Sequence, residues 1–382
     1  MVTSGVYLIV RSHAIFALTP GVSNFVALIG ALTAFVAASI AIGQYDIKRV
    51  LAFSTVSQLG FMVAAAGMGA WVAAMFHLLT HGVFKALLFL AAGSVIHGTH
   101  ETQDMRRMGG LRHAMPRTFW TYIFGTLALS GIFPLAGFWS KDEIVGSAFA
   151  EGHTFIGVLL VITAGLTAFY MWRQISLVFL GQQRDTSYHA HESEPIMTIP
   201  LVILAVGAVI AGVMNLPSPI LGIEIPGSHA LEHFLEPVFE ATGNVHEAPA
   251  FSLGLGAGTV LVALFAIFVA HQVYAKRAWK KRFEDPLYRY LGFLWEGFEH
   301  RWYVDDTYNA LIINPFKRIG SFLSRVFDPR VIDGVVHGAA RFVGLSGQSL
   351  RQAETGYVRS YALVFLVGVV AVLGYFSYLA VR

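Results

Sequence analysis

The sequence predicts an all-α, polytopic helical membrane protein. Of its 382 residues, 55% are hydrophobic and only 13% charged, against about 25% charged in soluble globular proteins. Mean hydropathy is +0.62, and apolar runs of the roughly 20 residues needed to span a bilayer recur from end to end. The composition also excludes chemistry. Without cysteine there is no disulfide, no thiolate metal site and no Cys-ligated iron–sulfur cluster. A net charge of +3 gives no indication of a nucleic-acid partner. The first apolar run, from Val2, lacks the basic flank and small-residue cleavage site of a signal peptide.

Hydropathy places about nine transmembrane helices, near 2–19, 23–43, 47–68, 71–97, 118–150, 155–180, 197–216, 251–275 and 361–381. The fifth is too long for one crossing and contains GIFPLAG at 131–137. Pro134 removes a donor and clashes with the preceding turn, and Gly131 and Gly137 loosen the helix, so a break is expected there. Lys and Arg favour the cytoplasmic side. Lys48, Arg49, the arginines of loop 98–117 and the KRAWKKR run at 276–282 then fall on one side. Loop 217–250, with Glu224, Glu232, Glu236, Glu240 and Glu247 and no Lys or Arg, falls on the other.

Between the last two spans, 286–358 repeats apolar residues at helical spacing. Leu287, Leu291, Leu294, Phe298 and Trp302 lead to Leu311, Phe316, Ile319, Leu323 and Val326, with Arg289, Glu299, Asp306, Lys317, Arg325 and Asp333 between them. That pattern predicts a long amphipathic lateral helix, with kinks at Pro315 and Pro329. It could lie on lipid or run along neighbouring subunits.

The residues that need explaining lie in FHLLTHGVFKALLFLAAGSVI at 76–96, where His77, His81 and Lys85 recur every four positions. A charge at the bilayer centre costs about 2.5–3.5 kcal/mol, and apolar residues on both sides of Lys85 hinder escape to the interface. A structural ion pair would explain the lysine. A slanted stripe of protonatable groups, about 12 Å long, also suits a water-linked proton relay. At an effective dielectric of about 20, a unit charge about 7 Å away is worth roughly 2.4 kcal/mol, enough to switch a proton on or off an amine. His-x-x-x-His also suits zinc, but no Glu follows the first His and the next ligand position is a cation, so no metal is assigned. The second charged group is GFWSKDEI at 137–144. Here Ser140 and Glu143 fit a capping box restarting the helix, with Lys141 and Asp142 inside it. They are either an interfacial cap or the outer end of a proton path built on a discontinuous helix. HAHESEP at 189–195 reads as a solvated loop rather than a metal site, and Arg173 as an interfacial side chain. Thr55, Ser57 and Gln58 either line a wet path or bond helix to helix.

Four stretches, DIKRVLAFSTVSQLGFM (46–62), FHLLTHGVFKALLFLAAGSVIH (76–97), QDMRRMGGLR (103–112) and GIFPLAGFWSKDEI (131–144), resemble the antiporter-like subunits of respiratory complex I, the NADH–quinone oxidoreductase. The likeness covers essentially the whole chain. It implies proton translocation coupled to redox chemistry elsewhere: no cofactor in this chain, with NADH, FMN, iron–sulfur clusters and quinone in partner subunits. Lys85, His77 and His81 match the family's central polar axis, Lys141 the lysine on its broken helix, and Asp142 the acid beside it. The resemblance implies a remnant helix at 1–22, the second of two inverted five-helix repeats at 23–181, and further spans and an outer loop at 182–275. It also implies a lateral helix at 286–358 and an anchor span at 361–382. Implied partners are neighbouring antiporter-like membrane subunits and lipid, and the implied location is the bacterial inner membrane, with the lateral helix on the cytoplasmic face. Subunits of this type carry about seven further spans before the point where Met1 falls, including a membrane glutamate and its lysine. The chain is therefore expected to be the C-terminal part of such a subunit. A large subunit of a multisubunit Na⁺/H⁺ antiporter, a membrane-bound hydrogenase subunit, or a non-pumping scaffold fragment are the alternatives.

Overall fold

A computed structural model describes residues 2–185, 187, 189–217, 228–240, 251–275 and 285–381. Among these every regular element is helical, and the one extended pairing is an isolated bridge between Asp46 and Asp104. The KRAWKKR run, Glu224 and Glu247, which help to orient the spans, lie outside the described residues. The chain divides into two units, Met1–Tyr303 and Val304–Arg382.

The first unit opens with α1 (Val2–Arg11) and α2 (His13–Ala17), interrupted at Ser12. The single crossing expected over 2–19 is therefore split. The polar triplet Arg11-Ser12-His13 interrupts the apolar run, and His13 is buried with its ring edge-on to Trp71 and Phe239. Next come α3 (Pro20–Gly43) and α4 (Ile47–Gly67), which pack along a seam of small residues. A Cβ added at Gly60 would sit 2.5 Å from the Ala34 nitrogen. Close backbone approach of this kind is how membrane helices gain dispersion energy where lipid provides no hydrophobic drive. Asp46 caps α4 by accepting from the nitrogens of Lys48 and Arg49 at 2.8 and 3.0 Å.

Helix α5 (Trp71–Gly98) has 28 residues, about 42 Å at 1.5 Å each. It is followed by α6 (Pro116–Ser130) and α7 (Ala136–Ala150), the two halves of the expected broken helix. Helix α6 ends on Gly131 in the left-handed conformation, φ 75°. The halves meet closely, because a Cβ at Gly137 would lie 1.9 Å from the Ala128 carbonyl oxygen. Then come α8 (Thr154–Val178), α9 (Pro195–Ile210) with a tight turn at Ala211–Asn215, α10 (Ala230–Glu240), and α11 (Leu253–Ala270) with a wide turn at His271–Ala275. Seven helices of the whole chain, counted among the described residues, are long and apolar enough to cross a membrane.

Two sequence expectations are corrected here. Arg173 does not reach the interface: it is fully buried. It donates to the Gln44 carbonyl at 2.7 Å and to Asp285 at 3.0 Å, and lies against the rings of Tyr45, Tyr274 and Trp295. Local sequence placed it near a helix end, and only the carboxylate more than a hundred residues away makes its burial tolerable. HAHESEP is likewise built into the fold. The Glu192 carboxylate accepts from the Arg117 and Thr118 nitrogens at 2.7 and 3.3 Å, capping α6, and Ser193 donates to the Ser94 carbonyl at 3.2 Å.

Residues 285–303 also pack within the first unit, as α12 (Tyr288–Leu291), α13 (Phe293–Glu299) and a turn at Arg301–Tyr303. Trp295 is buried, Gln44 donates to the Phe298 carbonyl at 3.2 Å, and Trp302 donates to Ser39 at 2.9 Å.

In the second unit, helical structure is continuous through α14 (Val304–Tyr308), α15 (Asn314–Phe322) and α16 (Asp333–Ala353), joined by wider π-helical stretches at Asn309–Ile313 and Leu323–Ile332. Neither proline ends it. Pro315 takes the first turn of α15, and Pro329 lies in a π-helical stretch, where local rewinding accommodates its missing donor. Helix α17 (Val358–Val381) closes the chain with 24 mostly apolar residues.

Candidate functional site

All five residues singled out in the sequence are buried in the first unit. His77, His81 and Lys85 on α5 are 0%, 3% and 5% exposed; Lys141 and Asp142 on α7 are 5% and 7% exposed. Lys85 turns to α4, where its ammonium donates to the Ser54 hydroxyl at 2.7 Å and the Leu51 carbonyl at 3.0 Å. No carboxylate among the described residues forms an ion pair with it, so neutral oxygens hold the charge.

His77 is engaged at both nitrogens. With Gln58 Oε1 as acceptor at 3.1 Å, the imidazole carries its proton on Nε2 and accepts at Nδ1 from Ser140 Oγ at 2.9 Å. Thr80 Oγ1 in turn lies 2.9 Å from Ser140 Oγ. Helices α4, α5 and α7 thus meet in one hydroxyl–imidazole–amide chain. His81 lies between: its ring centroid is 6.0 Å from that of His77, and its buried Nε2 has no partner among the described residues.

Ser140 therefore does not form a capping box with Glu143. Helix α7 starts four residues earlier, at Ala136, which puts Ser140 on its inner face against His77. Glu143 instead accepts from Asn215 at 3.1 Å. The break still has a chemical consequence. The Leu129 carbonyl, in the last turn of α6, is among those a helix end leaves without an intrahelical partner, and Lys141 Nζ donates to it. A cation at a helix C-terminus also meets the favourable end of the dipole. The same ammonium lies 5.4 Å from the Phe61 ring, which is 6.5 Å from the His77 ring, so Lys141 and His77 share a neighbour. Asp142, one residue on, points elsewhere. It lines a cavity of about 410 Å³ with Trp139, Glu143, Asn215, Phe251 and Ser252, and its buried Oδ1 has no partner among the described residues.

The structure thus brings His77, His81, Lys85 and Lys141 into one interior and sets Asp142 at an adjoining cavity. Sequence reasoning missed Ser54 and Thr80, and left Gln58 undecided. The 3–4 spacing of Ser54, Ser57 and Gln58 on one face of α4 was the available signal. Of these, Gln58 joins the chain at His77, while Ser57 bonds helix to helix through the Ala34 carbonyl at 2.9 Å.

Apolar spanning helices around a buried file of titratable and hydroxyl side chains define the class: an integral membrane protein with a polar interior. Residues 1–167 match the family described as NADH:quinone oxidoreductase/Mrp antiporter, TM. It is 39% identical to NAD(P)H-quinone oxidoreductase chain 5 of Picosynechococcus sp., over 99% of this chain and 59% of that protein. It is 37% identical to NADH-quinone oxidoreductase subunit L of Rhodobacter capsulatus, over 98% and 61%. To subunit L of Mycobacterium tuberculosis it is 40% identical, over 97% and 57%. The chain spans about three fifths of the length of these relatives.

Proposed function

We propose that this chain conducts protons as an antiporter-like membrane subunit of an NADH–quinone oxidoreductase. The observation that carries the reading is the buried cluster: two lysines without ion-pair partners among the described residues, held by Ser54 and by the Leu129 carbonyl, in the same interior as the Gln58–His77–Ser140 chain that links α4, α5 and α7. A hydroxyl such as Ser140 can accept one proton while giving up another, so His77 can take a proton at Nδ1 as the Ser140 O–H reverses direction. Nothing in this traffic is oxidised or reduced. Electron transfer from NADH through FMN and iron–sulfur clusters to quinone belongs to partner subunits, and the names of the relatives support that assignment.

In this reading Lys85, His81 and His77 carry the proton inward from α4, Lys141 receives it at the broken helix, and Asp142 passes it to the adjoining cavity. The membrane is the bacterial inner membrane. The helical run from α14 to α16 lies on its cytoplasmic face along neighbouring antiporter-like subunits. Lys85→Ala in the assembled complex tests the proposal: proton pumping should fall strongly while assembly and NADH oxidation survive. Normal pumping by that assembled variant would refute the relay.

A further inference from the structure

Helix α6 carries a second polar file outside the relay just described. Thr118, Tyr122, Thr126 and Ser130 recur every four residues, and their exposures are 0%, 0%, 0% and 2%. Steps of four advance about 40° around a helix and about 6 Å along it, giving a slanted line about 18 Å long. Its neighbours place the line inside the bundle. Thr118 meets Ser94 of α5 at 2.8 Å, a Cβ at Gly125 would touch Leu87 and Leu88 of α5, and Tyr122 packs on Phe179 at the end of α8 at 5.4 Å. The file lies between α5 and α8.

One end meets a proton-handling group, and the other lies one residue along the chain from the carbonyl that holds a second. At one end the Thr118 hydroxyl donates to the Glu192 carboxylate at 2.6 Å. At the other, Ser130 adjoins Leu129, whose carbonyl holds Lys141. Between them the buried hydroxyls of Tyr122, Thr126 and Ser130 have no partner among the described residues. Threonine in a helix can satisfy itself on the carbonyl four residues back, as Thr121 and Thr163 do here at 3.0 and 2.7 Å. Thr126 does not. Three successive buried hydroxyls left dry would be costly, and Phe, Val and Ala would fill the same shapes without that cost.

We infer that Thr118, Tyr122, Thr126 and Ser130 line a buried file of ordered water running from the Glu192 carboxylate to Lys141, an inlet separate from the His77–His81–Lys85 stripe. Its use for protons rests on the relay reading above. A proton entering at Glu192 passes to the first water, each water releases one of its own to the next, and the last reaches the neutral amine of Lys141. Only O–H and N–H bonds are exchanged.

The water itself is tested without reference to transport. X-ray radiolytic footprinting of the full chain in lipid nanodiscs, in ¹⁸O-labelled water, should oxidise Tyr122 several-fold faster than Met62, which is equally buried but lies off the file. Thr126→Val keeps the shape and removes one hydroxyl. It should lower Tyr122 labelling and should not raise the melting temperature, because a hydrated hydroxyl is already satisfied. An unlabelled Tyr122, or a Thr126→Val chain that melts higher, would overturn the inference, since both mark a dry hydroxyl. If Lys85→Ala pumped normally while Tyr122 remained labelled, the relay reading would fail and the water file would stand.

Discussion

Asp285→Ala should be among the most damaging single substitutions outside the polar file. The side chains of Arg173 and Asp285 are 1% and 0% exposed and meet at 3.0 Å. Asp285 also accepts from the Tyr274 hydroxyl at 2.8 Å and the Leu287 nitrogen at 2.9 Å. Its removal leaves a buried guanidinium with the Gln44 carbonyl as its remaining hydrogen-bond acceptor, beside three aromatic faces. Breaking a buried pair from one side costs about 3–5 kcal/mol, because the stranded charge has lost its compensation. An exposed pair is worth about 0–1 kcal/mol. Arg106–Asp104, partly exposed at 29% and 33%, lies nearer that limit and provides the comparison through Arg106→Gln. The full chain in mixed micelles would be unfolded by SDS titration and followed by tryptophan fluorescence, since Trp295 lies 5.6 Å from the Arg173 guanidinium. Asp285→Ala should shift the midpoint far more than Arg106→Gln, and its effect should be insensitive to salt. Arg173→Met combined with Asp285→Ala should recover much of the loss, because no charge is then stranded. If the single variant cost no more than Arg106→Gln, or if the double variant cost the sum of the two singles, the account of this ion pair would be wrong.

Three further outcomes are expected. Gly137→Ala should destabilise the bundle by about 1–3 kcal/mol or more through overpacking, read in the same titration, because α6 and α7 must part to admit the methyl. Ser140→Ala leaves His77 and Thr80 each short of a buried partner and should cost about 1–3 kcal/mol. Ser147→Ala, which removes only a bond back to the Glu143 carbonyl on the same helix, should cost less. Hydrogen bonds from Ser187, and then the Arg107 guanidinium, hold the Asp185 carboxyl below the usual carboxylate range. A depressed folded value means the loop's stabilisation is complete above the ordinary carboxylate value near pH 4 and is lost as pH falls towards the folded one. Tryptic cleavage at Arg184, measured at the slightly alkaline pH where the protease works and Asp185 is ionised, should therefore be slow in the native chain. In Asp185→Asn it should be faster at the same pH.

Helical class, most spans and the break at 131–137 were legible because each rests on local physics. A bilayer demands a long apolar helix whose backbone bonds are satisfied within the segment, and Pro134 with two glycines cannot sustain one. His77, His81 and Lys85 stood out for the same reason, as costly residues in an apolar helix. Where several local readings were equally allowed, sequence reasoning erred. S-x-x-E at 140–143 is a sound cap pattern, yet α7 starts at Ala136 and gives Ser140 to His77. Arg173, near a helix end, had every local reason to reach the interface.

What the sequence by itself determined is therefore which segments enter the membrane and which side chains are expensive there, since both follow from composition and period along one helix. What only the tertiary structure decided is who relieves the expense. Ser54 and the Leu51 carbonyl hold Lys85, Gln58 and Ser140 hold His77, the freed Leu129 carbonyl holds Lys141, and Asp285 holds Arg173. These partners lie 12 to 112 residues apart in sequence. Hydrogen bonds act over about 3 Å, so nothing in the local pattern could assign them before the helices were packed.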